Sequence, residues 1–182
     1  TVISKKEEHY EKISLSIIKE LELLFKKIKK NIDGKLKVTD VHFGGGTPTV
    51  MPLKYFKKIS ELIHENVDKN YLKEIALEVD PRNNMNSEKL LKYADFGVNR
   101  LSIGVQDFDT DVQKAINRVN EFDLINNLLN KEVRDKFESI NFDFIFGLPK
   151  QSLESLEITT NKIVELKPSR ITLLNMDHRP DI

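Results

Sequence analysis

Five short apolar runs, each separated from the next by a stretch of helical periodicity, constrain this chain more than any other feature. They read as strands over Lys37 to Phe43, Glu74 to Val79, Arg100 to Val105, Ile140 to Phe146 and Arg170 to Asn175. Between and before them lie helical patterns. Tyr10, Ile13, Ile17, Leu21, Leu24 and Ile28 recur at steps of three and four, which is one face of an amphipathic helix from Lys6 to Lys30. Pro52 suits a first helical turn, and Phe56, Ile59 and Ile63 carry an apolar stripe to about Asn66. Ser87 is read as the cap of a helix reaching Phe96, and Asp109 as the cap of a short helix to about Asn117. Phe122 to Phe137 reads as one further helix, and Leu153 to Leu166 as another, stopped by Pro168. Alternation this strict implies parallel strands joined by right-handed crossovers. A (β/α) barrel and a doubly wound sheet both satisfy it, and in both the ligands sit at the C-terminal strand ends.

The 182 residues suffice for one domain with a real core, here residues 1–182. Lys plus Arg number 29 and so do Asp plus Glu, so the balanced charge offers no footprint for nucleic acid or an anionic membrane. No apolar run approaches a membrane span, and the expectation is a soluble, cytoplasmic monomer. The chain has no cysteine, which excludes disulfides and any thiolate metal or Fe–S site built from these residues. It opens at Thr1 on a helix and stops at Ile182 just after a strand, so it is read as a piece of a longer protein, cut at both ends.

The chemistry-bearing residues collect at the strand ends. Val41-His42-Phe43 runs into Gly44-Gly45-Gly46-Thr47-Pro48-Thr49. Adjacent glycines at a strand end let a ligand approach the backbone closely, although a tight turn or a generic anion loop would use them too. The spacing fits neither a P-loop nor the GxGxxG fingerprint. Glu78 closes the second strand, where a carboxylate could accept two ribose hydroxyls or simply pair with Arg82 or Arg100. Gln106 closes the third strand and offers both a donor and an acceptor, for a neutral polar ligand or for its own turn. Arg118 follows at a helix end, with a guanidinium suited to a carboxylate or merely to the surface. Asp143 sits inside a strand of Phe, Ile and Leu, where a carboxylate must be paired, hydrogen-bonded or protonated, so functional and ion-pair readings compete. Of the four histidines, His9, His42, His64 and His178, no pair has zinc-ligand spacing, and no Ser-His-Asp logic is visible.

In order and spacing these segments resemble the radical S-adenosylmethionine (SAM) enzymes, and among them the oxygen-independent coproporphyrinogen III oxidases, over nearly the whole chain. GGGTPT resembles the family motif that contacts the methionine moiety of SAM, a role the resemblance gives to Gly45, Gly46 and Thr47. Glu78 in LEVDPR matches the residue that binds the SAM ribose. Gln106 in GVQDF, Arg118 in INR and Asp143 before GLPKQ match positions used around a second SAM. Haem chaperones of the same superfamily share GGGTP and the GLP strand, but they usually show Asn-Pro at Asp80-Pro81 and Gln-Ser-Phe at Gln106-Asp107-Phe108; Val112 to Arg118 also looks like the oxidase.

The resemblance implies an α/β fold, an incomplete (β/α) TIM-like barrel holding strands two to six of a six-stranded partial barrel. It implies oxidative decarboxylation of two propionates of coproporphyrinogen III to vinyls, giving protoporphyrinogen IX in haem biosynthesis, with SAM and a 4Fe–4S cluster as cofactors. The CxxxCxxC loop that ligates the cluster in the family is absent, so this chain alone is expected to be inactive. The last strand departs from the family's aromatic-Ala-His ending, reading Asn175-Met176-Asp177-His178 with an extra carboxylate. Arg82 is the only residue suggested as a grip on substrate propionates. The alternatives are a haem-binding chaperone of the superfamily and a non-radical (β/α) domain with a phosphate loop.

Overall fold

The computed structural model describes residues 7–82 and 85–177. After the first helix, α1 (Glu7–Ile28), come β1 (Asp40–Phe43), a 3₁₀ turn (Pro48–Val50), α2 (Leu53–Asn66) and β2 (Glu74–Val79). Then follow α3 (Ser87–Asp95), β3 (Arg100–Gln106), α4 (Thr110–Ala115), α5 (Phe122–Leu128) and α6 (Lys131–Lys136). β4 (Ser139–Phe146), α7 (Leu153–Leu166) and β5 (Arg170–Asn175) complete the order. All five strands lie parallel in one sheet in sequence order, and β1 and β5 do not meet. The sheet is an unclosed partial barrel, one of the two architectures the alternation allows.

Residue alternation divides the sheet into two chemically distinct faces. Ile75, Leu77 and Val79 of β2, Leu101, Ile103 and Val105 of β3, and Phe142 and Phe144 of β4 are buried in one apolar cluster with Phe56, Leu90, Tyr93 and Ile125 from the helices. Phe56 lies edge-on to Tyr93, with ring centroids 4.7 Å apart. Phe142 is fully buried, and truncating such a ring to alanine costs about 3–5 kcal/mol. Ile18 and Phe25 of α1 close a smaller cluster with Ile59, Ile63 and Val67. The opposite face of the strands is polar, carrying Glu74, Glu78, Arg100, Ser102, Asn141, Asp143, Arg170 and Thr172.

Four sequence expectations shift. The first strand starts at Asp40, not Lys37, because Leu36 bridges to Val67 and sends its backbone hydrogen bonds to Asn66 and Asp68 instead of the sheet. The cap of α3 is Asn86, whose side chain accepts from the Lys89 N–H; Ser87 Oγ donates to the Asn127 and Leu128 carbonyls. The helix read over Phe122 to Phe137 is two, because Asn130 caps α6 by accepting from the Val133 N–H. The apolar stripe of Ile125, Leu129 and Val133 runs across the break and conceals it. The third strand runs one residue further, to Gln106, through a bulge: Gly104 pairs with Asp143, but Gln106 pairs with Phe144. Lys6 and His178 lie outside the described residues.

Candidate functional site

The glycine run turns at the C-terminal end of β1 with Gly45 at φ 82° and Gly46 at φ 81°, a region that glycine enters without steric cost. The Gly45 N–H donates to Glu78 Oε2 at 3.1 Å. The other oxygen of Glu78 meets His42 Nε2 at 3.0 Å. Gly44 makes this junction possible, since a Cβ there would fall 2.6 Å from both Glu78 Oε1 and His42 Nε2. Glu78 therefore belongs to the glycine loop, and it pairs with neither Arg82 nor Arg100. Those guanidinium groups are taken by Asp80 and Glu74. A cavity of about 340 Å³ opens beside the loop, between Gly44–Thr47 and Tyr10, Ile13 and Ile17 of α1. Thr47 precedes the 3₁₀ turn without capping it through its side chain.

Asp143 has no cationic partner among the described residues. Ser102 Oγ donates to its Oδ2 at 3.0 Å, and Asn141 Nδ2 donates to its Oδ1 at 2.7 Å. Asn141 in turn contacts Thr172, so the inner face surrounds the Asp143 carboxylate with a network of uncharged hydrogen-bonding side chains across β3, β4 and β5. The ion-pair reading of Asp143 is thereby replaced by donors that leave its charge uncompensated.

Gln106 is buried yet sits at φ 70°, a conformation costly for a residue with a Cβ. The bulge folds its amide over Gly104, where a Cβ would lie 2.8 Å from Gln106 Nε2 and 3.3 Å from Arg118 Nη2. Gln106 Oε1 and Arg118 Nε are both buried without a hydrogen-bond partner among the described residues. Each such orphan costs about 1–3 kcal/mol until something satisfies it. Arg118 is thus part of the rim and not free surface. Burial lowers its pKa, helped by the Arg82 charge, while the Asp80 carboxylate 3.7 Å away opposes the shift.

The structure therefore brings the sequence candidates into two adjoining groups along one rim: Gly45 and Gly46 beyond the end of β1 with Glu78 of β2, and Gln106 of β3 and Asp143 of β4 with Arg118 from the turn after α4. Glu78 pairs in register with Ser102, the donor to Asp143, which links the groups. Sequence reasoning missed His42, Asp80, Ser102, Asn141 and Thr172 as members. The signal was available: His42 alternates with Gly44, and Ser102, Asn141 and Thr172 occupy inner-facing positions on their strands. At the end of β5, Met176 N donates to the Phe146 carbonyl at 2.9 Å. Gly147, at φ 83°, lies beside Asn175 and Met176, so the departing strand end abuts the GLP turn.

Residues 7–163 match the Radical SAM superfamily, and the chain belongs to that superfamily. Among curated proteins it is 41% identical over 145 residues to the oxygen-independent coproporphyrinogen III oxidase of Escherichia coli (strain K12), an alignment covering 80% of this chain and 32% of that protein. It is also 41% identical over 165 residues to the enzyme of the same name from Helicobacter pylori (strain ATCC 700392 / 26695), covering 89% of this chain and 35% of the relative. The chain thus spans about a third of the length of these relatives. Coproporphyrinogen III oxidase (HemN) from Escherichia coli, described as a radical SAM enzyme, superposes with a TM-score of 0.87 at 32% identity, covering 99% of this chain and 40% of that one. A radical SAM methyltransferase, TsrM from Kitasatospora setae, shares the fold at TM-score 0.64 and 14% identity.

Proposed function

We propose that this chain is the SAM-binding part of an oxygen-independent coproporphyrinogen III oxidase. The observation that carries the reading is the 3.1 Å contact between Gly45 N–H and Glu78, which joins two motifs 33 residues apart into one rim site. The donor set fits SAM. The glycine loop leaves backbone groups free of side-chain cover, and Glu78 supplies a carboxylate, fixed by His42, for the ribose hydroxyls. The unpartnered Gln106 Oε1 and Arg118 Nε–H have the polarities that an ammonium and a carboxylate would satisfy, which supports a second aminocarboxylate subsite closed by Asp143. Gly46 and Thr47 carry the methionine side of the first.

What SAM supplies when bound is radical hydrogen abstraction; the protein supplies binding, orientation and a polar lumen. A 4Fe–4S cluster is a different matter. The chain contains no cysteine, and no group of side chains able to hold a metal ion occurs among the described residues, so these residues do not fit that cofactor. The 182 residues by themselves are accordingly inactive. In the full-length protein the reaction is the oxidative decarboxylation of two coproporphyrinogen propionates to vinyls. The relatives reported above carry the oxidase name, which favours this reading over the haem chaperone. Among the described residues no helix is long and apolar enough to cross a membrane.

The test is an anaerobic assay of the full-length protein with SAM, reductant and coproporphyrinogen III. Formation of both 5′-deoxyadenosine and protoporphyrinogen IX, lost together in a Glu78→Gln variant, is the expected result. Deoxyadenosine without the tetrapyrrole product moves the substrate elsewhere within the superfamily.

A further inference from the structure

The DPR turn after β2 carries an ion pair that the proposed ligand set does not use. Asp80 Oδ1 accepts from Arg82 N at 3.0 Å and from Arg82 Nε at 2.9 Å, and Asp80 Oδ2 accepts from Arg82 Nη2 at 2.7 Å. This is the two-pronged carboxylate–guanidinium geometry that fixes orientation as well as charge. The Asp80 side chain is only 10% exposed, and its Oδ2 is also 3.7 Å from Arg118 Nη2. The remaining prong of Arg82, Nη1, donates to the Asn117 carbonyl at 3.2 Å. Asn117 sits at φ 54°, the left-handed conformation that ends α4 and turns the chain directly into Arg118. The Arg118 N–H in turn donates to the Gln113 carbonyl at 2.9 Å.

We propose that Asp80 and Arg82 act together as positioning residues for Arg118. Asp80 anchors both guanidinium groups, and Arg82 braces the Asn117 turn from which Arg118 projects. Arg82 is consequently read as a strut and not as a grip on a substrate propionate, because each of its three guanidinium nitrogens already donates to Asp80 or Asn117. Two guanidinium groups around one carboxylate leave one positive charge in excess, matched to a single ligand carboxylate at Arg118. The inference rests on the reading of Arg118 as a ligand-binding residue, and its test separates the two.

Two measurements on the full-length protein decide it. The first is amide hydrogen exchange without ligand. Arg82→Gln and Asp80→Asn are each expected to raise exchange at Asn117 and Arg118 by about tenfold beyond any rise shared by the globally protected core amides, while Arg82→Lys, which keeps the charge and loses the fork, falls between. Unchanged exchange in both variants overturns the brace. The second is SAM affinity by calorimetry. Arg118→Ala and Arg82→Gln are each expected to weaken binding at one site by about tenfold or more, and the double variant to be no weaker than Arg118→Ala within about twofold. Additive losses overturn the proposal, because Arg82 then meets the ligand on its own account. Raised exchange in Arg82→Gln with no affinity change in Arg118→Ala retains the brace and removes the ligand reading of Arg118.

Discussion

The guanidinium of Arg170 on β5 lies 3.2 Å from the carboxylate of Glu74 on β2, although β3 and β4 stand between the two strands in the sheet. A flat sheet would hold those strands about 14 Å apart, so the contact is made by curl and by both side chains reaching across the concave face. Glu74 also accepts from Arg100 at 2.7 Å. One carboxylate thus ties three strands at the N-terminal end of the lumen, opposite the rim that carries the candidate site.

Removing that carboxylate leaves two guanidinium groups without their partner. Glu74→Ala is expected to destabilise by about 1–3 kcal/mol, because Arg100 is largely buried and its Nε already lacks a partner among the described residues. Arg170→Ala should cost less than about 1 kcal/mol, since the Arg170 side chain is 53% exposed. Urea unfolding of the two variants checks the asymmetry; equal losses would mean that the burial of Glu74 and Arg100 does not set the cost.

Gly44→Ala tests whether the glycine run serves the Glu78 junction. The new methyl would stand 2.6 Å from Glu78 Oε1 and His42 Nε2, so one of them must move. SAM affinity is expected to fall by about tenfold or more while the unfolding midpoint shifts little, because both displaced groups are half exposed. Equilibrium dialysis with SAM reads the first effect and thermal denaturation the second.

Asp107 is a buried carboxylate that sequence reasoning passed over. It accepts from the Asp109 N–H, from Thr159 Oγ1 and from Gln151 Nε2, joining the β3 rim to α7 and to the Gly147 turn, whose N–H Gln151 Oε1 accepts at 2.7 Å. Asp107→Asn replaces one acceptor with a donor facing another donor. A loss of about 1–3 kcal/mol is expected in chemical denaturation, with Thr159→Val costing about 1 kcal/mol.

Lys167 ends α7 in the left-handed conformation, at φ 48°. Glycine adopts that geometry without the Cβ clash, so Lys167→Gly is expected to be stabilising by roughly 0.5–1 kcal/mol, less whatever unfolded-chain entropy the glycine adds. A fall in the unfolding midpoint would show that the Lys167 side chain holds contacts worth more than its backbone strain.

Asp80 gives a pH signature. Burial pushes its carboxyl upward, but hydrogen bonds from the Arg82 side chain and backbone, with the charges of Arg82 and Arg118, outweigh burial and hold it below the usual carboxylate range. A depressed folded-state pKa contributes stability that is present above the unfolded value and lost as pH falls through the folded one. Asp80→Asn should therefore destabilise at pH 7, and the gap to the parent should close as pH falls below about 4. Denaturant unfolding at both ends of that range measures it; a gap independent of pH would exclude the ionised pair as its source.

Local signals in the sequence determined the layout of this protein. The bounds of β2, α7 and β5 follow from two-residue alternation, from the stretch ahead of Pro168 and from turn residues, all of which act within a few positions along the chain. The same signals place Gly45, Glu78, Gln106 and Asp143 at or near strand ends, because parallel strand–helix repeats put those ends on one rim. Where an apolar stripe crosses a capped break, as at Asn130, or where Leu36 leaves the strand path for Val67, local periodicity misleads. Only the tertiary structure decided the partners. Glu78 takes His42 and Gly45 and leaves Arg82 to Asp80; Asp143 takes Ser102 and Asn141 and, among the described residues, no cation; Gln106 folds over Gly104 through a bulge. Those choices depend on strand register and sheet curl, which are set by packing summed over the whole core and carry no signature at the residues themselves.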